Sequence, residues 1–124
     1  MTIAVDNTTK SFEIVLGAAK TTNDCEYHVV YHDVAARSKQ DNHIEKLSHT
    51  SGVTSGTTPV TILPVPPNYT TRNISYLSVA NADTAAITVT VRVDISGTKR
   101  RLIKTTLNVD QTLIYEASGG WQIV

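Results

Sequence analysis

Four histidines and one cysteine are the side chains of this sequence with the most chemistry to offer. His28 and His32 stand four apart, the spacing with which a helix presents two imidazoles to one metal ion. Their surroundings, Glu26 to Val34, read instead as a strand, where four residues span about 13 Å, so the two rings cannot share an ion. His43 and His49 form no ligand-spacing motif with them, and ordinary surface histidines with no metal site are expected. Cys25 carries no nucleophile signature and, being single, forms no intramolecular disulfide. The eleven Asp and Glu residues are scattered singly, and phosphate loops, nucleophile elbows and His-Glu-x-x-His motifs are missing. Neither an enzyme nor a cofactor is expected. What remains is positive charge, in the run Lys99-Arg100-Arg101 and in Arg37 and Lys39, and these five residues are the expected contacts to a partner protein.

The elements that must position these residues are strands. From Ile87 to Ile95 the sequence alternates strictly, with Ile87, Val89, Val91, Val93 and Ile95 on one side and Thr88, Thr90, Arg92 and Asp94 on the other. Successive strand side chains point to opposite faces, so this segment has one dry and one wet face. Further strands are expected over Phe12 to Leu16, Cys25 to Val34, Val60 to Leu63, Ile74 to Ala80, Arg101 to Leu107, Thr112 to Glu116 and Trp121 to Val124. Turn signals separate them at Gly17, Thr22-Asn23-Asp24, Gly52 to Gly56, Asn81-Ala82-Asp83, Ser96-Gly97 and Ser118-Gly119-Gly120. Asp94-Ile95-Ser96-Gly97-Thr98 suits a type I turn and a tight hairpin. Beyond it, no register on a flat strand lets Lys99, Arg100 and Arg101 all face water, so the tip is expected to project past the core. Two readings of that tip stand: a solvated guard against edge aggregation, or a contact with an acidic partner surface.

Other segments differ in kind. Residues 36–58 are rich in Ser, Thr, Gly and charge, and are expected to form one long polar loop, with a single helical turn allowed at His43 to Leu47. Pro64-Val65-Pro66-Pro67 cannot continue a ladder and is expected to cross between sheets. Residues 1–10 are expected to be an N-terminal arm. The apolar ending Ile123-Val124 calls for a last strand paired in a sheet or pressed on a partner.

Composition sets the limits. A chain of 124 residues, 40% hydrophobic and 18% charged, is the length of one domain with one core. Its formal net charge is zero, so no global field draws it to nucleic acid or to an anionic membrane. No apolar run approaches the roughly 20 residues that a spanning helix needs. The start Met1-Thr2-Ile3-Ala4-Val5-Asp6 lacks a secretion leader's basic and apolar regions, and synthesis in a reducing cytoplasm is expected. The fold class expected for residues 1–124 is all-β, a single antiparallel two-sheet sandwich, jelly-roll-like.

Resemblance adds a function. The run Ile74-Ser75-Tyr76-Leu77-Ser78-Val79-Ala80-Asn81-Ala82-Asp83-Thr84-Ala85-Ala86, the Thr and Val strand after it, Leu107-Asn108-Val109-Asp110-Gln111-Thr112-Leu113 and the ending Gly119-Gly120-Trp121 together resemble a small β-module. That module recurs among structural proteins of tailed bacteriophages, and the resemblance covers Thr58 to Val124 through turn and core residues. It implies a virion protein. For a domain of this size it implies a capsid decoration or cement protein, which sits on the outer shell over joints between major capsid subunits and clamps them. The implied partners are the major capsid protein and copies of the chain itself, as homodimer or homotrimer. No nucleic acid, membrane or small-molecule substrate is implied, and the implied place is the capsid surface of a virion made in the host cytoplasm. The alternative is a tail, neck or fibre module that binds another virion protein or a host receptor through Tyr27, Tyr31 and Tyr69.

Overall fold

A computed structural model describes residues 3–5, 9–35, 46–68 and 70–124. Within them lie β1 (Ile3–Val5), β2 (Lys10–Leu16), β3 (Glu26–Ala35), β4 (Lys46–Val53), β5 (Val60–Leu63), β6 (Thr70–Ala80), β7 (Ile87–Ile95), β8 (Thr98–Leu107), β9 (Thr112–Glu116) and β10 (Gly120–Ile123). One sheet has the order β10-β9-β6-β3-β4, and β1 pairs β6 along the stretch that β9 leaves free. The other has the order β5-β2-β7-β8. All pairings are antiparallel, and the two sheets pack face to face as a sandwich, the expected fold class.

Alternation does most of this. On β7, Ile87, Val89 and Val91 are buried while Thr88 and Thr90 stay nearer water. Burial of such a side chain contributes about 1.5–3 kcal/mol, enough to fix which face turns inward. Two bulges then rescue positions that break the period of two. Opposite Val30 and Tyr31 of β3, strand β6 carries one extra residue, Ser75, so that Ile74 and Leu77 both reach the core although they lie three apart. Opposite Phe12 and Glu13, strand β5 carries the extra residue Ile62, and consecutive Ile62 and Leu63 are both fully buried. Between the layers, Tyr115 is fully buried with its ring 5.0 Å from that of Trp121.

The proline run lies on the passage from β5 in one sheet to β6 in the other, as its missing N–H groups require, and Pro66 is buried there. The last strand is paired: beyond β10, Val124 exchanges two backbone hydrogen bonds of 2.9 Å with Thr112.

Three expectations are corrected. Residues 36–58 are not one loop, because β4 pairs β3 continuously from Lys46 opposite Asp33 to Val53 opposite Glu26. Its apolar signal is weak because it is an edge strand, and Gly52 is needed where a Cβ would come within 2.9 Å of the Tyr27 hydroxyl. Residues 36–45 lie outside the described residues, and so do the first three positions of the helical turn allowed at His43 to Leu47, whose last two belong to β4. Nor are residues 1–10 a free arm, since Ile3–Val5 is a strand on β6 with Val5 fully buried, and Lys10 already begins β2. The β7–β8 hairpin turns through Ser96 and Gly97 at φ 51° and 95°. Two positive φ angles make it a type I′ turn, whose twist matches that of paired strands where type I would splay them.

Candidate interaction surface

His49, on β4, meets His28 of β3. Register places both on the outer face of their sheet, and the ring centroids are 5.5 Å apart. His32 lies further along β3, with Nδ1 3.3 Å from Ser75 Oγ and Nε2 3.4 Å from Asn73 Nδ2. Among the described residues no group of three or more His, Cys, Asp or Glu side chains could hold a metal ion. Cys25 is 1% exposed, and burial, reinforced by the neighbouring Asp24 charge, pushes its thiol up to about 11. A thiol so placed is neither ionised nor reachable.

Several carboxylates, Glu13, Asp24, Asp33, Asp83 and Asp94 among them, are engaged in holding the fold. Asp83, on the turn after β6, accepts hydrogen bonds from the backbone N–H groups of Thr21 (2.8 Å), Thr22 (2.7 Å), Asn23 (3.1 Å) and Thr84 (2.8 Å). The Thr21 bond leads the effects that hold its carboxyl far below the ordinary carboxylate range, because every donor favours the charged form. Two residues earlier, Asn81 is 2% exposed; its Nδ2 donates to the carbonyls of Ala85, Leu107 and Asn108, and its Oδ1 accepts from the Asp83 N–H. These two side chains tie together three chain segments far apart in sequence. Only the turn signal Asn81-Ala82-Asp83 pointed to them.

On the outer face of the four-stranded sheet, Glu13 is 3% exposed and accepts from Arg92 Nε at 2.6 Å and from Lys99 Nζ at 2.7 Å. Lys99 also donates to Asp94 at 2.7 Å. That bond leads in raising Lys99 above its ordinary value and in lowering Asp94 below its own. Lys99 is therefore tied into the sheet rather than free at a tip.

Its two neighbours are placed differently. Arg100 sits at an inward register position opposite Val93, and Arg101 at an outward one opposite Arg92, yet both are exposed. Exposure of both, on opposite register positions, together with the tying of Lys99 to Glu13 and Asp94, answers the conflict between three adjacent cations and a two-residue period. Between Arg101 and Ile103 a bulge adds Leu102, 39% exposed. Beside it lies an apolar groove of about 380 Å³ lined by Ile3, Phe12, Val93, Ile95 and Leu102 among others. A second, of about 310 Å³, is lined by Ile103, Leu113, Trp121, Gln122 and Ile123. Arg37 and Lys39 lie outside the described residues. The expected aromatic contacts are corrected as well: Tyr27 and Tyr31 are partly buried against the core, and Tyr69 is outside the described residues. Among the described residues, what these strands assemble is a β8 edge without a further strand and an apolar seam on either side of it. No family model, no curated protein and no solved structure matches the chain.

Proposed function

We propose that this chain is a non-enzymatic structural protein of a phage virion, a cement or decoration protein that binds the outer capsid shell and clamps neighbouring major capsid subunits. The observation that carries this reading is where the exposed large apolar side chains lie. Among the described residues five of the seven lie at sheet edges: Leu47 (68%) and Val53 (58%) on edge strand β4, Leu102 (39%) on edge strand β8, and Ile123 (43%) and Val124 (62%) at the β10 end; Val65 and Val109 are on connections. Apolar exposure gathered at sheet edges fits shallow protein joints, where area and complementarity matter more than a deep pocket. Asp83, Glu13 and Asp94 are engaged in clasps, which leaves them no part in acid–base chemistry. The similarity of Thr58 to Val124 to the tailed-phage module supplies the choice of virion. Copies of the chain itself, as homodimer or homotrimer, are the second partner, since closed symmetry lets one patch serve several identical subunits.

The test is copy number. A mass-calibrated gel of purified particles carrying this protein should show it in hundreds of copies. A handful per particle would place it in the tail or neck, and its absence from particles would overturn the reading altogether.

A further inference from the structure

The free edge of β8 combines features that the capsid reading does not itself require. β8 has β7 on one side and no strand on the other among the described residues. Arg100, Arg101 and Lys104 are exposed along it, and no described residue forms an ion pair with any of them. Leu102 and Ile103, consecutive in β8, each line one of the two apolar grooves, which open between the sheets beside this edge. An unpaired strand edge is a template for another strand. Here the charge decides which strand is accepted. Two-fold antiparallel pairing of β8 with a second copy of itself about Leu102 would set Arg100 of one protomer against Lys104 of its partner, and pairing about the Leu102–Ile103 bond would set Arg101 against Lys104, which is destabilising. The same cations favour a strand that carries carboxylates.

We propose that β8 is a docking edge for an extended acidic segment of a partner protein, which adds as a strand with carboxylates toward Arg101 and Lys104 and apolar side chains toward the grooves at Leu102 and Ile103. Backbone hydrogen bonds give such a strand its hold, and the alternating side chains give it selectivity. This goes beyond the capsid reading and does not need it, because any partner with such a segment would serve. Nucleic acid, the other polyanion, makes no use of the apolar seams.

Trp121 lines the groove at Ile103 and is the only tryptophan in the chain, so its fluorescence responds when that groove is filled. The intact protein is titrated with a capped nonapeptide alternating glutamate and valine. Three controls accompany it: the same peptide with lysine for glutamate, the acidic peptide N-methylated at alternate residues, and a single-stranded oligothymidylate. A saturable change with the acidic peptide alone is expected, weakening at raised salt. The double variant Arg101→Ser, Lys104→Ser should melt like the parent and bind about fivefold more weakly, as the loss of two cross-strand ion pairs implies. Equal binding by the N-methylated peptide would overturn strand addition. Equal binding by the lysine peptide or the oligothymidylate would overturn the acidic strand as occupant, and no response to the acidic peptide at millimolar concentration would overturn the site. None of these outcomes bears on copy number in particles.

Discussion

Replacing Asn81 should damage this protein more than replacing any surface charge. Its Nδ2 lies 2.9 Å from the Ala85 carbonyl oxygen and 3.1 Å from those of Leu107 and Asn108, so two N–H bonds serve three acceptors. Its Oδ1 holds a buried backbone N–H at 2.9 Å. In Asn81→Ala the Ala85 and Asn108 carbonyls lie near enough to the surface to turn to water, while the Leu107 carbonyl and that N–H are left dry. Two buried polar groups without partners cost about 1–3 kcal/mol each, or about 4 kcal/mol together. Against a total stability of about 5–15 kcal/mol this is a large fraction. With a urea slope of about 2 kcal/mol per molar, the midpoint followed by Trp121 fluorescence should fall by about 2 M. Asn81→Asp should be worse at neutral pH, because a carboxylate would face three carbonyl oxygens with no proton to offer. The sign with pH follows: that carboxyl is held protonated in the folded state, so the penalty of this substitution is smallest at low pH and grows as pH rises through the ordinary carboxylate range. A midpoint for Asn81→Ala within about 0.5 M of the parent would refute the account of Asn81 as the tie between these segments.

The parent itself should show the opposite acid trend. Asp83 and Asp94 are both held below the ordinary carboxylate value of 3.8, so the stability they contribute is present above that pH and fades as pH falls below it; Asp83→Asn should flatten the acid limb of a stability–pH curve measured by urea unfolding. Lys99, raised above 10.5, adds stability that is complete below that value and lost only at higher pH. Arg92→Met removes the 2.6 Å partner of nearly buried Glu13 and should cost about 2–3 kcal/mol, whereas Arg100→Ser and Arg101→Ser should each stay within about 0.5 kcal/mol, as a urea series will read. Cys25 should react with a thiol reagent at pH 8 only as fast as the protein opens, so labelling of the native protein at the rate of a free thiol would contradict its burial.

The parts of the fold legible in the sequence are those where one face is dry. Val60–Leu63, Ile87–Ile95 and Thr112–Glu116 coincide with the segments read from strand-forming residues and turn signals alone. β4 was illegible because an edge strand needs no apolar stripe: its register is set by β3 beside it, and Leu47, His49, Ser51 and Val53 all stay exposed. β1 has three residues, too few for a period to register, and its place comes from the stretch of β6 left open below β9. Propensity within either segment carries little information about such long-range pairing.

The candidate surface was half legible for a related reason. Arg100 and Arg101 stand out as charge in the sequence, and the conflict between three adjacent cations and a two-residue period correctly marked an irregular place. Which cation would be drawn into the sheet was encoded nearby only in part, by Asp94 opposite Lys99 across the hairpin. Lys99 is fixed by Glu13, 86 residues away in sequence, and Glu13 itself sits in a strand whose alternation gives no sign that its outward side chain is covered. One consequence is a division of labour within a single basic run. Lys99 shares nearly buried Glu13 with Arg92 and binds Asp94 across the hairpin, whereas Arg100 and Arg101 stay exposed and form no ion pair with a described residue, because the buried carboxylate is matched by the cations that face it on the outer side of the sheet.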